Sequence, residues 1–288
     1  MLSSMRGDAV HGGNDVHTHA RAQRIGRAAI ASLYDELALA PKPGLVSFVD
    51  SGSHTDMDAT TFVRSLFALR RYFPRIAMAG AAGASFSELE ALGIAAEARM
   101  LAATGGINTH RGAVFTLGVL CAAAGEGARL CASDLRERLM QRWGDALRAR
   151  QHRASTSNGR RAADAHGLRS AGDEAALGFP TVFEHAVPAL AHARAIGLND
   201  RSARLQTLFE IIAVLDDTNL AHRGGLAGLR FAQREARAFL LAGGARRPDA
   251  LAHAQAIHRE FVAQRLSPGG AADVLAAACL VERLGSAA

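Results

Sequence analysis

A-A-T-G-G-I-N-T-H-R-G-A-V-F-T-L-G-V-L-C-A-A-A-G, residues 102–125, is a polar, donor-rich loop that runs into an apolar segment. Thr104, Gly105, Gly106, Asn108, Thr109, His110 and Arg111 fill its first half, and small and aliphatic residues fill its second. Asn108 or Thr109 can cap the helix that the second half predicts, leaving free N–H groups at its start. A helix start beside His110 and Arg111 suits phosphate oxygens. The same residues also suit a glycine-rich turn between two core helices.

The pattern of a polar break feeding a buried helix recurs along the chain. Of its 288 residues 49% are hydrophobic and only 5% aromatic, so a sizeable core can be built mainly from helices. Strand alternation, internal repeats, a Walker loop and a G-x-S-x-G elbow are absent. The expectation is an all-α protein: a single multi-helical globular domain over residues 19–288, with the active site at Gly/Pro-rich helix breaks. Residues 1–18, polar and bearing His11 and His17, predict a disordered tail.

A formal charge of +6 suits an anionic partner, and Lys42 is the only lysine in an arginine-rich chain. Three cysteines, with no C-x-x-C, predict buried thiols in a reducing compartment. No signal-peptide core and no membrane-length apolar run occur, so the expected location is cytoplasmic, without membrane contact.

Going outward, a helix is expected over about 20–39, with Ile25, Ala29, Leu33 and Leu37 four apart on one face, ending before P-K-P-G. Asp50, His54, Asp56 and Asp58 then fall within nine residues, a carboxylate set magnesium could use, although either of the last two can cap the helix expected from residue 59. A helix over 87–103, with Ser87 and Glu90 as its capping box, brings Glu97 near the opening loop. Residues 130–147 predict a helix capped by Ser133, and the basic stretch 148–170 a mobile lid, a nucleic-acid arm or a simple long loop. A helix is expected over 181–196. The apolar run through Leu208 and Ile212 delivers Asp216, Asp217, Asn219 and Arg223, two adjacent carboxylates that need a cation or Arg223 as partner. A helix follows over 226–241, and Asp273 opens the last one, where a helix dipole alone would favour it.

The breaks, in order, resemble the triphosphoribosyl-dephospho-CoA synthase family. The matching pieces are P-K-P-G-L-V (41–46), S-G-S-H-T-D-M-D (51–58), A-T-G-G-I-N-T-H-R-G (103–112), E-A-A-L-G-F-P (174–180), D-T-N-L-A-H-R-G-G-L-A-G-L (217–229) and S-P-G-G-A-A-D-V-L (267–275). The form S-F-V-D-S-G-S-H (47–54) is more similar to the malonate decarboxylase branch than to the citrate lyase branch. One departure is Ser157-Asn158-Gly159, where the resemblance leads one to expect Ser-His-Gly; His152 or His166 are the nearby substitutes.

The resemblance implies an all-helical enzyme that joins the triphosphoribosyl part of ATP to the 2′-hydroxyl of 3′-dephospho-CoA and releases adenine. It implies a downstream acyl carrier protein as the eventual recipient. Such chemistry builds positive charge on a ribose, needs a base for the attacking hydroxyl and needs a proton for adenine. Glu97 and Glu174 are the base or charge-stabilising candidates, and Asn108 and His110 the candidates for orienting substrate or protonating adenine. Lys42, His54, Thr104, Arg111, Asn219, Arg223 and Asp273 are substrate-binding candidates. Asp56, Asp58, Asp216 and Asp217 are candidates for the expected Mg2+. Homo-oligomerisation stays open. A metal-dependent nucleotide phosphohydrolase and a non-catalytic binding protein for the acyl carrier subunit are the alternatives. The acidic clusters argue against nucleic acid as a partner, since they repel phosphate unless metal fills them.

Overall fold

The computed structural model describes residues 8–127, 131–151 and 158–286. Among them there are helices and no strand, as the low content of β-branched and aromatic residues leads one to expect. Helix α1 (Asp8–Ala38), α3 (Tyr72–Ala81), α5 (Arg111–Gly125) and α13 (Gly269–Ser286) pack on one another at the centre. Around them lie α2 (Ala59–Leu69), α4 (Phe86–Ala103), α6 (Ala132–Gln151), α7 (Asn158–His166), α8 (Ala171–Ala176), α9 (Val187–Ala195), α10 (Asp200–Val214), α11 (Thr218–Leu241) and α12 (Ala250–Ala263).

The predicted stripe of α1 is the buried face: Ile25, Ala29, Leu33 and Leu37 are all within 1% of complete burial. Truncating one of its leucines to alanine would cost about 2–5 kcal/mol. Helix α5 is buried on every side from Thr116 to Gly125, apart from its start. Its small residues allow backbone contact with α3. A Cβ on Gly125 would stand 2.0 Å from the Ala77 carbonyl oxygen, and one on Gly80 would stand 2.1 Å from that of Ala122. That closeness fixes where α5 begins, and so where its polar loop lies.

Several boundaries differ from the sequence expectation. Residues 8–18 continue α1, because a helix already held by its packed part extends at one hydrogen bond per added residue; residues 1–7 lie outside the described residues. The capping box of α4 is Ser85 with Glu88, one pair upstream of Ser87 and Glu90, and the helix accordingly starts at Phe86. Ser133 lies inside α6 and does not cap it. The basic stretch contains α7, which packs against α11; His152 and Ser157 lie outside the described residues, while Asn158 opens α7. A π-helical turn, Thr181–Ala186, precedes α9. Helix α11 begins at Thr218 and kinks at Gly225, whose φ of 60° only glycine takes without strain.

Candidate active site

Five breaks far apart in sequence meet where α5, α11 and α13 begin. Asp217 is the hub. It is 1% exposed, and its Oδ1 accepts the N–H groups of Asn219 (2.9 Å) and Leu220 (3.3 Å), capping α11. Its Oδ2 accepts the N–H of Ala271 at 2.9 Å, in the first turn of α13. One carboxylate therefore satisfies orphan donors of two helices. Gly270 makes this contact possible, since a Cβ there would press within 3.1 Å of the Asp217 carboxylate. Burial pushes the Asp217 carboxyl above its ordinary range, against the three N–H groups that favour its charge.

Asp273 docks on the start of α5. An added Cβ on Gly112 would lie 2.0 Å from Asp273 Oδ2, and the Ala113 N–H acts on the same carboxylate. The helix start that the sequence offered to phosphate is thus occupied by an internal carboxyl group. Desolvation, with Glu36 and Asp217 nearby, raises the Asp273 carboxyl well above its usual range.

Lys42 is buried beneath this group. Its Nζ donates to Glu36 Oε1 at 2.5 Å and to the Glu36 carbonyl at 2.7 Å, and desolvation lowers its pKa despite that partner. The expected phosphate clamp is therefore an internal cation at 1% exposure. His110 is also buried, with Nδ1 2.7 Å from Ser65 Oγ. Burial, and secondarily Lys42, push its pKa down to about 3, so the ring is neutral near pH 7.

Three more polar sets lie beside this buried floor. Arg223 Nη2 meets His54 Nδ1 at 3.0 Å, and its Nη1 donates to the carbonyls of Ser53 and Arg265, each at 3.1 Å. His54 Nε2 in turn lies 2.9 Å from Ser267 Oγ, and Asp56 is 3.6 Å from Nδ1. Burial and the Arg223 charge lower the His54 pKa. Arg223 thus joins two breaks and does not pair with Asp216 or Asp217. Asn219 is exposed and rests against Gly269.

Arg169 was not marked by any motif. It joins Glu174, at 3.3 Å from Nη1 to Oε1, to Asp216, whose Oδ2 accepts the Arg169 N–H at 3.2 Å. Glu174 is 6% exposed and its Oε2 accepts the Thr181 N–H at 3.0 Å. Arg111 Nε donates to Glu97 Oε2 at 3.0 Å, a half-exposed pair outside the core. Asn108 Oδ1 accepts the Arg111 N–H at 3.1 Å and so braces the first turn of α5, although the N-cap position is held by His110, whose side chain makes no capping bond, and not by Asn108 or Thr109. The Thr104 hydroxyl donates to the Met100 carbonyl at 2.9 Å and lies 2.6 Å from that of Ile107, closing the end of α4.

The four carboxylates expected to hold magnesium do not form one cage. Asp58 caps α2, with Thr61 N and Oγ1 both 2.8 Å from its Oδ1, and Asp217 spends both oxygens on helix starts. Among the described residues no three His, Cys, Asp or Glu side chains are grouped to bind a metal ion. Asp56 and Asp216 keep open carboxylate oxygen capacity, which fits magnesium bound through one or two carboxylates with substrate phosphates and water completing its shell. Among the described residues no helix is long and apolar enough to cross a membrane.

Residues 22–288 match the family model described as ATP:dephospho-CoA triphosphoribosyl transferase (CitG). A protein of Acinetobacter calcoaceticus named "Probable 2-(5''-triphosphoribosyl)-3'-dephosphocoenzyme-A synthase" is 38% identical over 265 residues, 91% of this chain and 90% of its own. A protein of the same printed name from Azotobacter vinelandii is 39% identical, covering 91% of this chain and 92% of its own. The 2-(5''-triphosphoribosyl)-3'-dephosphocoenzyme-A synthase of Pectobacterium atrosepticum is 40% identical, covering 88% and 85%. No solved structure matches. With the model match spanning all the breaks that meet at Asp217 and Asp273, the chain belongs to the ATP:dephospho-CoA triphosphoribosyl transferase family.

Proposed function

We propose that the chain transfers the triphosphoribosyl part of ATP to the 2′-hydroxyl of 3′-dephospho-CoA, releases adenine, and so makes the prosthetic-group precursor for the acyl carrier protein of malonate decarboxylase. The observation that carries the reaction is the meeting of the family's sequence breaks around Asp217, Asp273 and His110. The malonate assignment rests on the 47–54 segment alone, with service to citrate lyase as its alternative.

Breaking the N-glycosidic bond leaves positive charge on the ribose, which a nearby carboxylate stabilises. Glu174 suits this role or that of base for the 2′-hydroxyl, because it is held by Thr181 N–H and Arg169 without being neutralised by a tight bidentate pair. Glu97 is the second base candidate. Its pairing with Arg111 would have to open or shift for that role. The triphosphate is kept intact, so it must be bound rather than cleaved. Arg111, Arg169 and Arg223 carry exposed guanidinium groups suited to phosphate oxygens. Magnesium, held by Asp216 or Asp56, would supply neutralising charge to the triphosphate. His110, being neutral, would orient the purine or ribose rather than deliver a proton as an imidazolium. Lys42 with Glu36 would set the field beneath the site.

The test is one incubation with ATP, magnesium and 3′-dephospho-CoA, followed by chromatography and mass spectrometry. Free adenine with a dephospho-CoA adduct of the triphosphoribosyl mass supports the transferase. Phosphate release with ADP or AMP and no adenine would support a phosphohydrolase instead. The genes adjacent to this one separate the malonate and citrate systems.

A further inference from the structure

His110 is held from several sides and still has an idle polar atom. Its ring is 3% exposed, Phe62 packs edge-on at 4.9 Å, and its backbone N–H faces Met100 Sδ at 3.3 Å. Nδ1 lies 2.7 Å from Ser65 Oγ, whereas Nε2 is buried with no hydrogen-bond partner.

Ser65 decides what Nε2 is. It sits in the interior of α2, fully buried. A serine or threonine there ordinarily returns its hydroxyl hydrogen to the carbonyl one turn back, as Ser32 does to Ala28 and Thr207 to Ala203. Among the described residues the Ser65 hydroxyl has one hydrogen-bond partner, His110 Nδ1. If Nδ1 carried the proton, both the hydroxyl hydrogen and the Nε2 lone pair would be buried without a partner, whereas with the proton on Nε2 only that N–H is left unmatched until a ligand arrives. The hydroxyl therefore donates to Nδ1, and in the neutral ring the proton is on Nε2.

We infer that Ser65 is a positioning residue that locks His110 in the neutral Nε2–H form, so that His110 offers a buried hydrogen-bond donor to an oxygen or nitrogen acceptor of the bound nucleotide. The nucleotide as ligand rests on the proposed function; the tautomer does not. A neutral imidazole donor gives up no proton and so does not need to be recharged between turnovers. It polarises an acceptor where charge develops, which is the use a water-poor site favours. The surroundings agree. Lys42 is the charged group acting on the ring, with its own charge paired to Glu36. Asp273 lies at the same helix start, Arg111 is turned to Glu97, and α2 and α4 contribute the uncharged Ser65, Phe62 and Met100.

The experiment is nitrogen NMR on the full chain with labelled histidine, alone and with ATP or 3′-dephospho-CoA. The expected spectrum has His110 protonated at Nε2 and not at Nδ1, with no titration between about pH 5.5 and 8.5. The Nε2 resonance should move on saturation with one of the nucleotides. Ser65→Ala should mix the tautomers and lower kcat roughly tenfold to a hundredfold with KM little changed. Ser65→Thr, which keeps the hydroxyl, should restore the single tautomer. A proton on Nδ1, or a ring that titrates in that range, overturns the assignment to Ser65. An Nε2 resonance indifferent to both nucleotides overturns the donor role. Adenine release is read in the same samples. The expected tautomer and ligand shift without adenine would sink the reaction and leave Ser65 and His110 standing.

Discussion

Lys42 and Glu36 form an ion pair inside the core, with Nζ 2.5 Å from Oε1 and side chains 1% and 5% exposed. It ties the end of α1 to the P-K-P-G turn. Breaking a buried pair leaves one uncompensated charge, whereas replacing both partners by apolar groups does not. Lys42→Met alone and Glu36→Gln alone should each cost about 3–5 kcal/mol, and Lys42→Met with Glu36→Leu should recover most of that. Urea unfolding of the four proteins checks this. Losses that simply add would show that the pair is not the unit.

Gly112→Ala should disturb the site without replacing any ionisable group. The new Cβ would lie 2.0 Å from Asp273 Oδ2 at the start of α5, so the buried Asp273 carboxyl would have to move from its place. The expected loss is about 1–3 kcal/mol, read as a lower melting temperature. Adding Asp273→Ala should relieve that clash. A Gly112→Ala protein as stable as the parent would mean that the Asp273 carboxyl can leave the start of α5 at no cost.

Glu174→Gln keeps an acceptor for the Thr181 N–H while removing the charge facing Arg169. Folding should survive and turnover should fall about a hundredfold or more. Arg169→Ala should raise the KM for ATP roughly tenfold or more, the scale of a hydrogen bond to a charged group. Full activity in the glutamine variant would remove Glu174 from the chemistry, and an unchanged KM would remove Arg169 from the triphosphate.

His110 should make the fold sensitive to acid. Its folded pKa of about 3 lies below the ordinary 6.5, so the unfolded chain takes up the proton first. Its contribution is complete above pH 6.5 and is lost as the pH falls toward 3, at up to about 1.4 kcal/mol per pH unit. Asp217 and Asp273, whose carboxyls are pushed up, act in the opposite sense: folding holds their protons longer as the pH rises. The measurement is therefore the slope of stability against pH in the parent minus that in His110→Gln. Parallel slopes would show a ring that is not desolvated.

The helices and the polar breaks were legible because their signals are local. Four aliphatic positions spaced by four mark the buried face of α1, and Gly, Pro and Asn mark where helices stop. The partners across the breaks were not legible. Glu36 looks like any acid on a helix; only the fold brings it under Lys42. Arg169 sits in a basic stretch whose composition suggests a solvated loop, and Ser65 looks like a small residue in an apolar helix. Asp217 was read as a ligand because two adjacent acids after a buried run need a counter-charge; the structure supplies it as three peptide N–H groups. Sequence spacing carries no record of a contact between residues 217 and 271.

That contact also bears on the order in which the protein comes into being. Asp217 joins the start of α11 to the start of α13, and α13 packs against α1, more than 200 residues earlier in sequence. A nascent chain still lacking its last helix has no Ala271 to meet Asp217 and no Asp273 to meet Gly112. Its first helix lacks one of its main neighbours. The site is thus completed only after residues 269–273 have left the ribosome, and a chain cut short before residue 269 would carry most of the family's motifs without an assembled centre.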